Sequence, residues 1–386
     1  MQDAQGGSVS IEAEPTLART PGEQTDGTPR TLQCGALELE TGGRLPAVRL
    51  AFQTWGRPDA DGSNAVLVLH ALTGDAHAAD GPADTDGWWR DLVGPGRVID
   101  TDRFFVVAPA ALGGCAGTTG PASPAPDGEP WGSRFPFVTI RDMVRLEHAL
   151  LDHLGLEAWH TVIGGSMGGA RALEWAATFP DQVRRCAVLA SCAASTAEQI
   201  ALSQIQTQAI RLDPEFRGGD YYGAGAGPVA GLGIARRLAH LSYRSAAEME
   251  ARFGREPQGA ERPLGAAGRD ERGRYAVESY LDHQADKLVG RFDANAYLSI
   301  TEALASHDVG RGRGGVEAAL GGLDGVRFFI AAVDSDRLYF PEQSERIAAA
   351  VPGDARVEYI SSPIGHDGFL TAAATQVEPA LRRFLG

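Results

Sequence analysis

The sequence predicts an α/β fold, with a mostly parallel central sheet, helices on both faces and an inserted all-helical lid. Three observations carry this. Continuous apolar runs at 65–70, 104–109 and 186–191 alternate with stretches of helical periodicity, as buried parallel strands joined by crossover helices do. From about 196 to 309 the periodicity is helical and no strong strand occurs. Finally, Gly164-Gly-Ser-Met-Gly168 lies between a β-branched run ending at Ile163 and a run of helix formers. That is G-x-S-x-G on a strand-to-helix turn, a nucleophile elbow. The turn is tight, so the residues two before and two after the serine must be small. It lifts the hydroxyl clear of the sheet and aims the first free helix N–H groups at a reacting carbonyl.

Length and composition set the limits. A chain of 386 residues with 43% hydrophobic content suits one large α/β domain carrying an insertion. Net charge of −15 argues against nucleic acid or an anionic membrane as partner. Lys287 is the single lysine among 35 basic residues, which reads as genomic codon bias. Cys34, Cys115, Cys186 and Cys192 form no C-x-x-C pair, so neither a metal site nor a disulfide scaffold is indicated. No signal peptide and no run of about 18 apolar residues is visible, and a cytoplasmic protein is expected.

Residues 1–30, rich in Gly, Pro, Thr, Gln and Glu, read as a disordered leader. The first part of the core then runs over 31–195. It opens with two alternating strands, 37–40 and 48–54, around a turn at Thr41-Gly-Gly43, predicted to form an antiparallel hairpin. Parallel strands follow at 65–70 and 104–109, then a helix over 139–154 closed by Gly155. The elbow strand, a helix from Met167 to Phe179 stopped at Pro180, and a strand at 186–191 complete this part. The lid spans 196–310, with helices predicted at 197–212, 228–241, 246–253, 276–291 and 294–306. Its stretch 258–274, rich in Gly, Arg and Glu, reads as a mobile loop. The second part of the core, 311–386, holds a strand at 326–333, a helix at 341–351, a strand at 356–360 and a final helix from about 371.

The chemistry follows from the elbow. A serine hydroxyl is a weak nucleophile until a base takes its proton, and the base needs an orienting carboxylate. On this fold the order along the chain is serine, acid, histidine, the last two on loops after the final strands. Asp336 follows the 326–333 strand, with Asp334 as its rival, and His366 follows the 356–360 strand. Two backbone N–H groups should hold the oxyanion: that of Met167, and that of Leu72 or Thr73 after the 65–70 strand. Asp75-x-His77 is too small a set for a metal site. Gly223–Gly227 follows no strand, and the glycines of 113–120 lack the P-loop Gly-Lys-Ser/Thr.

Longer stretches carry a family resemblance. They are His70-Ala-Leu-Thr-Gly-Asp75, Leu112-Gly-Gly-Cys-Ala-Gly-Thr-Thr-Gly-Pro121, Ile163-Gly-Gly-Ser-Met-Gly-Gly169, Ile234-Ala-Arg-Arg-Leu-Ala-His-Leu-Ser-Tyr-Arg-Ser245, Asp334-Ser-Asp-Arg-Leu-Tyr339 and Ile364-Gly-His-Asp-Gly-Phe-Leu370. Over about residue 35 to the C-terminus the chain resembles the homoserine O-acetyltransferases, acyltransferases of the α/β-hydrolase superfamily that serve methionine biosynthesis. It departs at His70, where the family usually has Asn, and at the pair Tyr339-Phe340 before Pro341. The resemblance implies an α/β-hydrolase fold and a Ser166–Asp336–His366 triad. It implies acetyl-CoA as co-substrate, no resident cofactor or metal, and a homodimer through the lid. It also implies that Arg236 pairs with the homoserine carboxylate and Asp367 with its ammonium. A guanidinium fork does suit a carboxylate. The bland readings are an exposed lid arginine, with Arg237 adjacent, and a helix N-cap for Asp367. Related activities to separate are succinyl transfer, a serine acceptor and plain ester hydrolysis.

Overall fold

The computed structural model describes residues 24–82, 85–225, 227–265, 268 and 272–386. The leader up to residue 23 and part of the 258–274 loop lie outside the described residues.

Among the described residues, nine strands form one sheet. In spatial order along its main path they are Thr25–Asp26, Val48–Gly56, Phe105–Pro109, Ala65–Leu69, Thr161–Gly165, Arg185–Leu189, Arg327–Val333 and Val357–Ile360; Arg30–Cys34 also pairs with Val48–Gly56. The pairings from Phe105–Pro109 through Val357–Ile360 are parallel. The three N-terminal strands join antiparallel. The inner parallel strands are fully buried, for example Ala65–Leu69 and Thr161–Gly165. That is why they read as unbroken apolar runs rather than alternating ones.

The N-terminal part differs from the sequence reading in two places. Val48–Gly56 does not pair with 37–40; its partner is Arg30–Cys34, with Leu32 opposite Leu50. Leu37–Glu38 instead pairs with Arg44–Leu45 in a separate two-stranded sheet. Alternation reports which face of a strand is buried and leaves the choice of partner to packing. The leader also extends less far than residue 30. Thr25–Asp26 is a short strand against Trp55 and Gly56, and Arg30 begins the strand beside it.

The helices lie close to the predicted positions. Ile140–His153 starts at Thr139, whose hydroxyl accepts from Asp142 N while the Asp142 carboxylate accepts from Thr139 N. This capping box satisfies two otherwise orphaned donors. The Asp142 carboxylate also accepts from Glu40 N at 2.7 Å, tying the helix to the N-terminal strands. The elbow helix Met167–Thr178 buries Trp175 fully. At the C-terminal end the first helical turn is Gly368–Thr371, earlier than the predicted start at 371.

Between Arg185–Leu189 and Arg327–Val333 stand the helices Ala197–Arg211, Val229–Tyr243, Ala246–Phe253, Ala276–Val289 and Ala294–Ala305. Where the chain returns from this insertion, Arg313 pairs with Glu174 at 2.6 Å and Arg311 with Glu40 at 2.9 Å. Arg141 reaches Glu174 at 2.7 Å and Glu40 at 2.7 Å. Two carboxylates thus hold three guanidiniums, and this network clamps the insertion onto the core.

Candidate active site

The elbow conforms to its steric logic. Ser166 has φ 56° and ψ −125°, a region costing on the order of 1–3 kcal/mol for a residue with a Cβ. A Cβ on Gly168 would stand 2.0 Å from the Leu69 carbonyl oxygen, and one on Gly164 would stand 2.4 Å from Gly168. Only glycine permits that approach. The strained turn is held by main-chain bonds: Ser166 N donates to Leu189 O at 3.0 Å, and the Ser191 hydroxyl donates to Ser166 O at 2.7 Å.

The two loops after the last strands meet beside it. His366 Nδ1 lies 2.6 Å from Asp336 Oδ2, both buried. The second Asp336 oxygen accepts from the backbone N–H of Leu338 and Tyr339, at 2.8 and 2.9 Å. Its rival is otherwise engaged, because Asp334 accepts from Ser362 N at 3.1 Å. Tyr339 stacks on the His366 ring, centroids 5.1 Å apart, and Phe369 closes in at 5.2 Å. Burial disfavours a charged His366. The Asp336 carboxylate, with Asp367 nearby, outweighs that and holds the imidazole above its ordinary 6.5. Ser166 and His366 line one cavity without a direct hydrogen bond between them. Such contacts are commonly long before substrate arrives.

That cavity has a volume of about 230 Å³ and is also lined by Leu72, Thr73, Arg236, Tyr243, Arg291 and Asp367. A second, smaller one of about 50 Å³ reaches Ser166 from the lid side; its walls include Ser195, Gln199, Ser203, Gln206 and Tyr339, and hold no charged residue. Leu72 borders both. The N–H groups of Leu72 and Met167 donate to no acceptor among the described residues, so two free donors flank the serine.

The lid supplies the charged wall. Arg236 lies over the Tyr243 ring at 5.6 Å, and its buried Nε has no hydrogen-bond partner. Arg237 instead pairs with Asp282 at 2.9 Å, so helix orientation separates the two neighbours. Asp367 stands at the N-cap of Gly368–Thr371 but its side chain makes no capping bond. It faces Arg244 at 3.4 Å.

Sequence reasoning missed Arg244, Arg291 and Tyr339 as part of this site. Arg244 lay within a quoted lid stretch, where its pairing with Asp367 had no local signature. Arg291 lies two residues beyond the helix Ala276–Val289 and reaches the Thr73 carbonyl at 3.0 Å across the fold, which no spacing announces. Asp75 and His77 build a turn, with His77 N donating to the Asp75 carboxylate at 2.8 Å and the ring bonded to Gln53.

Residues 64–373 match the family model described as the alpha/beta hydrolase fold. A homoserine O-acetyltransferase of Thermobifida fusca (strain YX) is 58% identical over 339 residues, 87% of this chain and 88% of that one. A crystal structure of homoserine O-acetyltransferase from Bacillus anthracis superposes with a TM-score of 0.86 over 93% of this chain and 97% of that one, at 24% identity. That of esterase E22 does so at 0.84 over 93% and 99%, at 27% identity. The fold therefore carries both transfer and hydrolysis, while sequence identity of this extent points one way. The chain belongs to the homoserine O-acetyltransferase family of the α/β-hydrolase fold.

Proposed function

We propose that this chain transfers an acetyl group from acetyl-CoA to the hydroxyl of L-homoserine through an acyl-serine intermediate. Ser166, deprotonated by His366, attacks the thioester carbonyl. The amides of Met167 and Leu72 hold the oxyanion. The C–S bond breaks and coenzyme A leaves as the thiol, taking its proton from His366. Homoserine then enters, His366 removes the hydroxyl proton, and the alkoxide takes the acetyl group and frees Ser166. Asp336 holds the imidazole in the required tautomer and stabilises the imidazolium.

One observation carries the acceptor. Arg236 lines the cavity that holds Ser166, His366 and Asp367, and its buried Nε has no hydrogen-bond partner. A buried donor left unpaired costs about 1–3 kcal/mol, and an amino-acid carboxylate relieves that cost. Asp367, with Arg244 at its other side, receives the ammonium. Fixing both ends of the amino acid lets it compete with water for the acyl group.

The uncharged lining of the smaller cavity supports acetyl over succinyl, whose free carboxylate would need a cation. A homodimer through the lid accords with Ile205, Ile234 and Leu241, exposed on the lid helices Ala197–Arg211 and Val229–Tyr243, and with Leu212, exposed at the C-cap of the first. Use of acetyl-CoA suits a cytoplasmic location; no helix among the described residues is long and apolar enough to cross a membrane.

The test is a steady-state comparison of acetyl-CoA and succinyl-CoA with homoserine and serine, scoring ester product against free acid. O-Acetylhomoserine as the main product is expected. Dominant hydrolysis with homoserine present would instead favour an esterase.

A further inference from the structure

His70 lies outside the triad, yet it is buried, 3% exposed, at the end of the strand Ala65–Leu69. Both ring nitrogens are committed to backbone. Ala111 N donates to Nε2 at 3.0 Å. An amide can only donate, so Nε2 must be unprotonated and the ring proton must sit on Nδ1. Nδ1 then donates to the Ala71 carbonyl at 2.7 Å. Burial, and the Arg171 guanidinium behind it, push the His70 pKa down to about 3. The ring is therefore neutral at any working pH, in one tautomer.

The consequence lies in the peptide plane. The Ala71 carbonyl and the Leu72 N–H belong to one rigid planar unit and point in opposite directions. Anchoring the carbonyl aims the N–H. Two further contacts hold the same segment. The Ala71 carbonyl also accepts from Gly74 N at 2.9 Å, and the Arg171 Nη1 donates to the His70 carbonyl at 3.4 Å. The elbow is close by, since a Cβ on Gly168 would stand 3.1 Å from the His70 carbonyl oxygen.

We infer that His70 is a positioning residue of the oxyanion hole: bridging Ala111 N–H and the Ala71 carbonyl, it aims the Leu72 amide at the carbonyl carried by Ser166. This rests on the acyltransferase reading and on Leu72 as an oxyanion donor. The oxyanion forms in both half-reactions, so the loss of aim slows both. Homoserine binding through Arg236 and Asp367 is left intact.

The experiment compares His70→Leu, which fills the volume and removes both bonds, with His70→Asn, whose amide keeps a donor and an acceptor on a shorter arm. Measured are kcat, KM for homoserine, and the rate at which an uncharged phosphonate labels Ser166 through a tetrahedral adduct. One oxyanion donor is worth about 100- to 1,000-fold in kcat; an indirectly loosened one should cost His70→Leu about 10- to 100-fold, with homoserine KM within about twofold. Phosphonate labelling should slow in parallel, and His70→Asn should lie between the two. The inference is overturned if His70→Leu keeps a third or more of wild-type kcat. It is also overturned if His70→Asn is no better than His70→Leu, or if KM rises while labelling is unchanged. Should His70→Leu not fold, His70→Met, which also removes both bonds, takes its place: lowered kcat at unchanged KM supports the assignment, and unchanged kcat overturns it. A wild-type protein that made no O-acetylhomoserine would sink the acyltransferase reading, and the labelling rates, which need no acceptor, would still decide on His70.

Discussion

Arg171 in the α/β core and Arg236 in the helical insertion differ in how far their guanidiniums are satisfied. In the core, Arg171 is fully buried and paired: its Nε donates to Glu147 at 2.9 Å, and the other Glu147 oxygen accepts from Trp175 Nε1 at 2.8 Å. The Arg171 Nε, Nη1 and Nη2 all find acceptors inside the protein. In the lid, Arg236 leaves a buried donor unmet and faces the serine across a cavity. A satisfied buried pair holds the fold in place, whereas an unsatisfied cation is poised for something that arrives later. On the proposed acetyltransferase reading, Arg171 serves construction and Arg236 recognition.

Substitutions can break this contrast. The largest effect is expected at the relay beneath both regions. Ser166→Ala should lower turnover by about 10⁴- to 10⁶-fold, with no acetylated protein detected by intact mass after exposure to acetyl-CoA. Substantial residual turnover would remove Ser166 from the chemistry. Asp336→Asn should cost about 10⁴-fold in kcat, because the wrong imidazole tautomer is then favoured.

The pH profile sharpens the same point. Catalysis needs neutral His366, and Asp336 favours its protonated form. The acid limb of kcat/KM in the wild type should therefore have its midpoint above 6.5, with activity lost as pH falls through it. In Asp336→Asn the opposing burial effect prevails and the midpoint should move down. A midpoint that stays in place would mean another group titrates.

Arg236→Ala tests the lid half. It should reduce kcat/KM for homoserine by about 10- to 100-fold, the worth of a charge-assisted contact of about 1.5–3 kcal/mol. Acylation by acetyl-CoA alone should remain near wild type. Equal losses in both half-reactions would make Arg236 structural, like Arg171. Glu147→Ala tests the core half. Stranding Arg171 without its partner should cost about 3–5 kcal/mol of stability, read as a lower denaturant midpoint. Arg236→Ala should leave that midpoint almost unchanged. The smallest expected effect is at the surface: Ile234→Glu with Leu241→Glu should shift sedimentation from dimer towards monomer, and an unaltered dimer would place the interface elsewhere.

Much of the site was legible along the chain for a topological reason. In a parallel sheet every strand ends at the same edge, so loops after successive strands converge. Ser166, Asp336 and His366 each follow such a strand, and spacing alone brought them together. Leu72 follows from the same rule. The paired strands of the N-terminus were not legible, because Arg30–Cys34 and Leu37–Glu38 carry similar local patterns and packing selects between them. The wall of the cavity was only partly legible. Arginine is common on solvated helices, and nothing local distinguishes Arg236, which faces the serine, from Arg237, which faces Asp282.

The sequence by itself determined the layered α/β architecture, the helical insertion, the elbow and the chain order of its catalytic set, because hydrophobic period and turn sterics are local properties. Only the tertiary structure decided which carboxylate meets His366, that His70 is a neutral bridge behind the Leu72 amide, and which of the adjacent lid arginines lines the cavity beside Ser166. Each of those depends on the relative orientation of elements far apart in sequence, and it is packing of the whole core that fixes such orientation.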